Sequence, residues 1–104
     1  MKKNTKTSLK EECWSLDNSL VEWLNEHLKQ YYEDASKYVK LDFHKFNYNG
    51  EILTQEQIIK RLIEITDFLL IDYYDRFGER LELMDKYLNE MYDLLKLVHW
   101  CLWW

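Results

Sequence analysis

Proline is absent from this 104-residue chain, and glycine occurs only at Gly50 and Gly78. An all-β sandwich or barrel needs many tight turns, and turns draw on those two residues. Their scarcity predicts a few long helices. Cysteine is almost as sparse: Cys13 and Cys101 have no CxxC partner and read as reduced core thiols rather than a disulfide framework. No stretch approaches the roughly 18 apolar residues that a membrane-spanning helix requires. The N-terminal lysines are followed by polar residues, without the apolar core of a signal peptide. A cytoplasmic protein with no membrane partner is expected. Gly-rich phosphate loops, a GxSxG nucleophile elbow and HExxH spacing are also missing, so nucleophilic catalysis has nothing to rest on.

Hydrophobic residues make up 47% and aromatic residues 16% of the chain, enough for one core in one domain. The division expected is a flexible basic tail at 1–7, carrying Lys2, Lys3 and Lys6, and a single helical domain over 8–104. Net charge is −5, from 19 acidic and 14 basic residues. It is concentrated between Glu64 and Asp93, where nine acids face three basic residues. Asp72, Asp75, Glu79, Glu82, Glu90 and Asp93 form a candidate acidic face. Such a surface repels nucleic acid and suits a basic partner.

Apolar spacing predicts three main helices, near 15–38, 55–75 and 79–102, packed as a compact all-α three-helix bundle. In the first, Leu16, Leu20, Leu24, Leu28, Tyr31, Ala35 and Tyr38 recur at steps of three and four, with Ser15 or Asp17 as N-cap. Between 39 and 53 the pattern lapses into a loop. Lys40 to Asn47 alternates loosely enough for a short strand, and Asn49-Gly50 is a turn signal. Thr54-Gln55-Glu56-Gln57 has the spacing of a capping box and starts the second helix. The third carries Leu81, Met84, Leu88, Met91, Leu95, Val98 and Leu102 at alternating three and four, with Leu94, Leu97, Cys101 and Trp104 beside them. An apolar surface this broad predicts a central helix, and a homodimer through that second stripe. A bend near Gly78 is expected between the last two helices; the rival is one continuous helix.

Two metal patterns arise. Glu79-x-x-Glu82 and Glu90-x-x-Asp93 resemble pieces of the magnesium site of all-α nucleotide pyrophosphatases of the MazG kind, with Glu64-x-x-Asp67 as another piece. Two pieces on one helix cannot converge on one ion. A zinc site of His99, Cys101 and Cys13 lacks regular ligand spacing. Neither metal nor cofactor is expected, and the chain does not read as an enzyme.

Aromatic residues are the candidate binding groups. Tyr31-Tyr32 and Tyr73-Tyr74 are adjacent pairs, and Trp100, Trp103 and Trp104 crowd the end of the sequence. Neighbours on a helix lie about 100° apart, so at least one of each pair should reach a surface or a partner. Trp103 is the terminal residue expected to face outward, and Leu102 the one expected in the core.

Trp14-Ser15-Leu16-Asp17 opening a helix, Thr54 to Leu69, and the run from Tyr87 to Leu102-Trp103-Trp104 resemble small accessory proteins of phages and prophages of Gram-positive bacteria. The resemblance implies a small accessory protein made inside an infected bacterium and supplies no activity of its own. Phage genes of this size often encode proteins that bind and disable a host component, defence systems included, so a compact helical inhibitor of a host protein is the leading expectation. Two other expectations stand beside it: a sponge that stacks a nucleotide signal on Tyr and Trp at an oligomer interface, and a phage assembly adaptor.

Overall fold

The computed structural model describes residues 5–71 and 81–104. Four helices and one two-stranded sheet are found among them: α1 (Thr5–Trp14), α2 (Leu16–Ala35), β1 (Lys45–Tyr48), β2 (Glu51–Thr54), α3 (Gln55–Ile71) and α4 (Leu81–Val98), with a 3-10 turn at His99–Cys101. The chain is mostly helical, as its composition requires, but it is not a three-helix bundle. The additions come from both weakly patterned regions. Helix α1 begins at Thr5, inside the stretch expected to be a tail, and leaves the axis of α2 at Ser15, where φ is −133° and ψ 62°. Ser15 is the N-cap of α2 without a side-chain capping bond. The sheet occupies the expected loop.

That sheet is an antiparallel hairpin with Tyr48 opposite Glu51. Its two-residue loop is Asn49-Gly50, with φ of 54° and 82°. Positive φ at both positions is the type I′ geometry that matches strand twist and favours Asn-Gly. Gly50 N–H donates to Asn47 Oδ1 at 3.2 Å. β2 then runs straight into α3 through the capping box. Gln57 N–H donates to Thr54 Oγ1 at 3.1 Å, and Thr54 N–H to Gln57 Oε1 at 2.8 Å, so two otherwise unpaired helix-start donors are satisfied reciprocally.

Helix α3, not α4, is the central post. It packs on α2 and on α4. Ile58, Leu62, Ile65 and Leu69 join Val21, Leu28, Met84, Met91, Leu94 and Val98 in the larger cluster, while Ile59 joins Ala35 and Leu41 in a smaller one. Aliphatic side chains on adjoining faces of α3 serve both neighbours, whereas α4 buries one side only. Leu94 lies in that monomer core, so the dimer stripe expected through Leu94, Leu97, Cys101 and Trp104 loses a member to the chain's own interior. The third helix also stops at Val98 rather than 102. Residues 72–80 are outside the described residues, and with them the question of a bend at Gly78.

The middle of the stripe expected on α2 faces the core, with Leu28 and Ala35 buried and Leu24 and Tyr31 packed against the clusters, but its two ends do not. Leu16 and Leu20 are exposed, Tyr38 lies beyond the helix end and is exposed, and the buried line runs Val21, Asn25, Leu28, Ala35. Asn25, only 5% exposed, sets that rotation. Its Nδ2 donates to Thr66 Oγ1 at 2.8 Å and to Asp67 Oδ1 at 2.9 Å. Lys29 Nζ reaches the same Asp67 oxygen at 3.0 Å, and Thr66 Oγ1 closes on Leu62 O at 2.9 Å. A buried amide must find such partners or lose its hydration uncompensated. Any rotation that carried Leu16 and Leu20 inward would take Asn25 away from Thr66.

Asn25→Ala should therefore lower the unfolding free energy by about 1–3 kcal/mol. Thr66→Val should lower it less, because Asn25 keeps Asp67. Urea denaturation of both variants measures this, and an Asn25→Ala loss within error of zero would show that apolar packing alone orients α2.

Candidate functional site: the aromatic end of the fold

The described candidate aromatics gather where the first turn of α3, the end of α2 and the end of α4 meet. Gln55, the first residue of α3, is 2% exposed. Its backbone N–H donates to His44 O at 2.9 Å, and that of Glu56 to Leu41 O at 2.8 Å. Helix-start amides lack intrahelical partners, and here the loop before the hairpin supplies them. The Gln55 side chain reaches the other way, with Nε2 donating to Cys101 O at 2.9 Å and lying 3.4 Å from Tyr31 Oη. Tyr31 Oη is 3.2 Å from Cys101 O and 3.0 Å from Trp103 O, so one proton is shared between two carbonyls. A buried amide and a phenol thus hold the backbone of the last residues.

The tail has the geometry to meet them. Leu102, with φ −85° and ψ 69°, is the centre of an inverse γ-turn closed by Trp103 N–H to Cys101 O at 2.9 Å. Trp103 and Trp104 therefore lie past the helix, and the helical spacing expected for them does not apply. Trp104 stacks on Tyr38 (centroids 6.4 Å apart, planes 7° apart) and leans on Tyr31 at 5.6 Å. Trp103 Nε1 donates to Trp100 O at 3.1 Å. Leu102 packs against both core clusters while only half-buried. Trp100 is 84% and Trp103 63% exposed; both indoles face outward from a backbone that is tied down.

Of the expected binding residues, Tyr31, Trp100, Trp103 and Trp104 are brought together. Tyr32 faces the side of α3 instead, donating to Glu56 Oε2 at 2.7 Å with Lys60 5.6 Å over its ring. Tyr73, Tyr74, Asp72, Asp75 and Glu79 are outside the described residues. The remaining acidic residues make no continuous free face. Glu82 is exposed. Glu90 accepts two bonds from Arg61, Nε to Oε2 at 2.7 Å and Nη2 to Oε1 at 3.0 Å, while Arg61 Nη1 binds Glu64 at 2.6 Å. The Glu90 bonds, chief among the causes, push the guanidinium pKa still higher. Asp93 accepts from Tyr48 Oη at 3.4 Å; burial, then the charges of Asp93 and Glu90, raise that phenol. Of the carboxylates that matched the pyrophosphatase pieces, Glu64 and Glu90 are thus engaged by Arg61, Asp93 by Tyr48, and Asp67 by Asn25 and Lys29. Among the described residues, no group of three His, Cys, Asp or Glu could hold a metal ion.

Sequence reasoning missed Gln55 as a site residue, along with the company of Phe43, His44 and Lys40. With Val39, Cys101 and Trp103, these four line a cavity of about 340 Å³. Glutamine at the first position of a helix carries no sign of burial, and only the fold brings Cys101 O to it. Among the described residues, no helix is long and apolar enough to cross a membrane. Comparison with protein families, with curated proteins and with solved structures gives no match.

Burial raises the Tyr31 phenol above its ordinary 10.0, with the Gln55 amide pulling the other way. A raised folded-state pKa means that the neutral phenol's contribution is fully present below pH 10.0 and is lost as pH rises through the folded value. Ionisation removes the proton shared with Cys101 O and Trp103 O. The melting temperature of the parent chain should thus exceed that of Tyr31→Phe at neutral pH, and the gap should close as pH climbs past the raised value. Parallel thermal melts across the alkaline range check this; a pH-independent gap would mean that Tyr31 acts through packing alone.

Proposed function

We propose that this chain is a small non-enzymatic binding protein that grips a protein partner with its terminal tryptophans. The supporting observation is the display of Trp100 and Trp103, exposed on a backbone fixed by Gln55 and Tyr31. Tryptophan is enriched at interface hot spots, and a pre-ordered display avoids part of the entropy lost on binding. Large exposed indoles contribute little to the monomer's own stability, so a covering partner accounts for them. The resemblance to phage and prophage accessory proteins supports a bacterial host protein, a component of an anti-phage defence system, as that partner. Inhibition would follow from occupying its surface.

A tagged chain produced in a bacterial host tests this. The parent should retain a host protein in fixed stoichiometry, and Trp100→Ala and Trp103→Ala should each weaken that association by at least about 1 kcal/mol, near fivefold. Their melting temperatures should stay near the parent's, while Leu102→Ala, which touches both clusters, should melt lower. Equal retention by parent and variants would overturn the reading, as would a Trp103→Ala loss of stability matching that of Leu102→Ala. Sedimentation equilibrium of the purified chain separates a host partner from a second copy in a homodimer.

A further inference from the structure

The cavity beside Gln55 contains an acceptor with no donor. Nε2 is identified by its bond to Cys101 O, since a carbonyl can only accept. The other amide atom, Oε1, accepts no hydrogen bond among the described residues. No buried side-chain polar atom there is both sealed from solvent and unpaired. Gln55 is nonetheless 2% exposed and lines the cavity. Its carbonyl oxygen is therefore not sealed, and the cavity that Gln55 lines is the opening through which we infer that it is reached.

The surrounding groups narrow what could pair with it. Phe43 and Trp103, both exposed, line the cavity with aromatic rings, and Phe43 stands edge-on to His44 at 5.2 Å. Lys40 brings an ammonium group that makes no ion pair among the described residues, and His44 adds a ring nitrogen. An acceptor in the wall selects an N–H group, ring faces select a flat heteroaromatic ring, and the ammonium selects an anion. About 340 Å³ lies near the small end of ligand pockets and accommodates one nucleotide rather than a strand. The net charge of −5 opposes a polyanion as well.

We propose that this cavity is a binding site for a single amino-bearing nucleotide, with the exocyclic amine donating to Gln55 Oε1. The base lies against Phe43 and Trp103, and the phosphate is held by Lys40. The site shares Trp103, but not Trp100, with the surface proposed for the protein partner; titrating the purified chain with a nucleotide tests the site in the absence of that partner, and Lys40 and Phe43 belong to the cavity alone.

Isothermal titration with adenosine 5′-monophosphate provides the test, against two probes that each lack one element. Ribose 5-phosphate has no base, and purine riboside 5′-monophosphate has the base without its amine. Adenosine 5′-monophosphate should bind, the amine-free analogue about tenfold more weakly because Gln55 Oε1 is left unpaired, and ribose 5-phosphate not measurably. Lys40→Ala and Phe43→Ala, both at exposed positions, should each weaken binding about tenfold with unchanged melting temperature. Absence of binding by adenosine 5′-monophosphate, equal affinity for the amine-free analogue, or full affinity in both variants would overturn the assignment.

Discussion

A helix start that is buried must find partners for amides its own helix cannot satisfy, and the first turn of α3 organises the surrounding structure around that requirement. Thr54 and Gln57 cap each other, His44 O and Leu41 O take the next two amides, and the Gln55 side chain extends the arrangement to Cys101 O. The loop after α2, the hairpin and the end of the chain are thereby fixed to one point. The apolar clusters supply the bulk of the driving force, but they are compatible with several loop paths. The hydrogen bonds around Gln55 choose among them, since a single unpaired buried amide or carbonyl carries a penalty of about 1–3 kcal/mol.

What could be read from the residues beforehand follows the range of the forces involved. The capping box at Thr54 and the Asn49-Gly50 turn are settled within four residues by local backbone preference, and both appear as read. The loose alternation over Lys40 to Asn47 only hints at the strand found at Lys45–Tyr48, because two strands of four residues are too few for a strong alternation. The start of helix α2 departs from its apolar spacing for a specific reason. Leu16 and Leu20 offer an apolar stripe as regular as the real one, and the real one is centred on a polar residue, Asn25, whose merit depends on Thr66 some forty positions away.

The aromatic end shows the same limit more sharply. Counting by heptads carries α4 on to Leu102, yet the α-helix gives way to a 3-10 turn after Val98, and Cys101 O and Trp103 O are taken by Gln55 and Tyr31. Which of two helices is central was equally unreadable from apolar content alone. α4 is rich in apolar residues, but α3 carries its aliphatic groups on adjoining faces, and that arrangement matters for a helix with neighbours on both sides.

The bond from Tyr31 to Trp103 joins positions 72 residues apart, and this has a consequence for the order of assembly. Helices α2, α3 and α4 meet as consecutive neighbours, contacts of the kind that close short loops and form early. The tail lock instead needs α2, α3 and the last residues to be in place before any of its hydrogen bonds can form. The tryptophan display therefore depends on tertiary contacts rather than on local spacing, so a chain that presents it has brought α2, α3 and its last residues together.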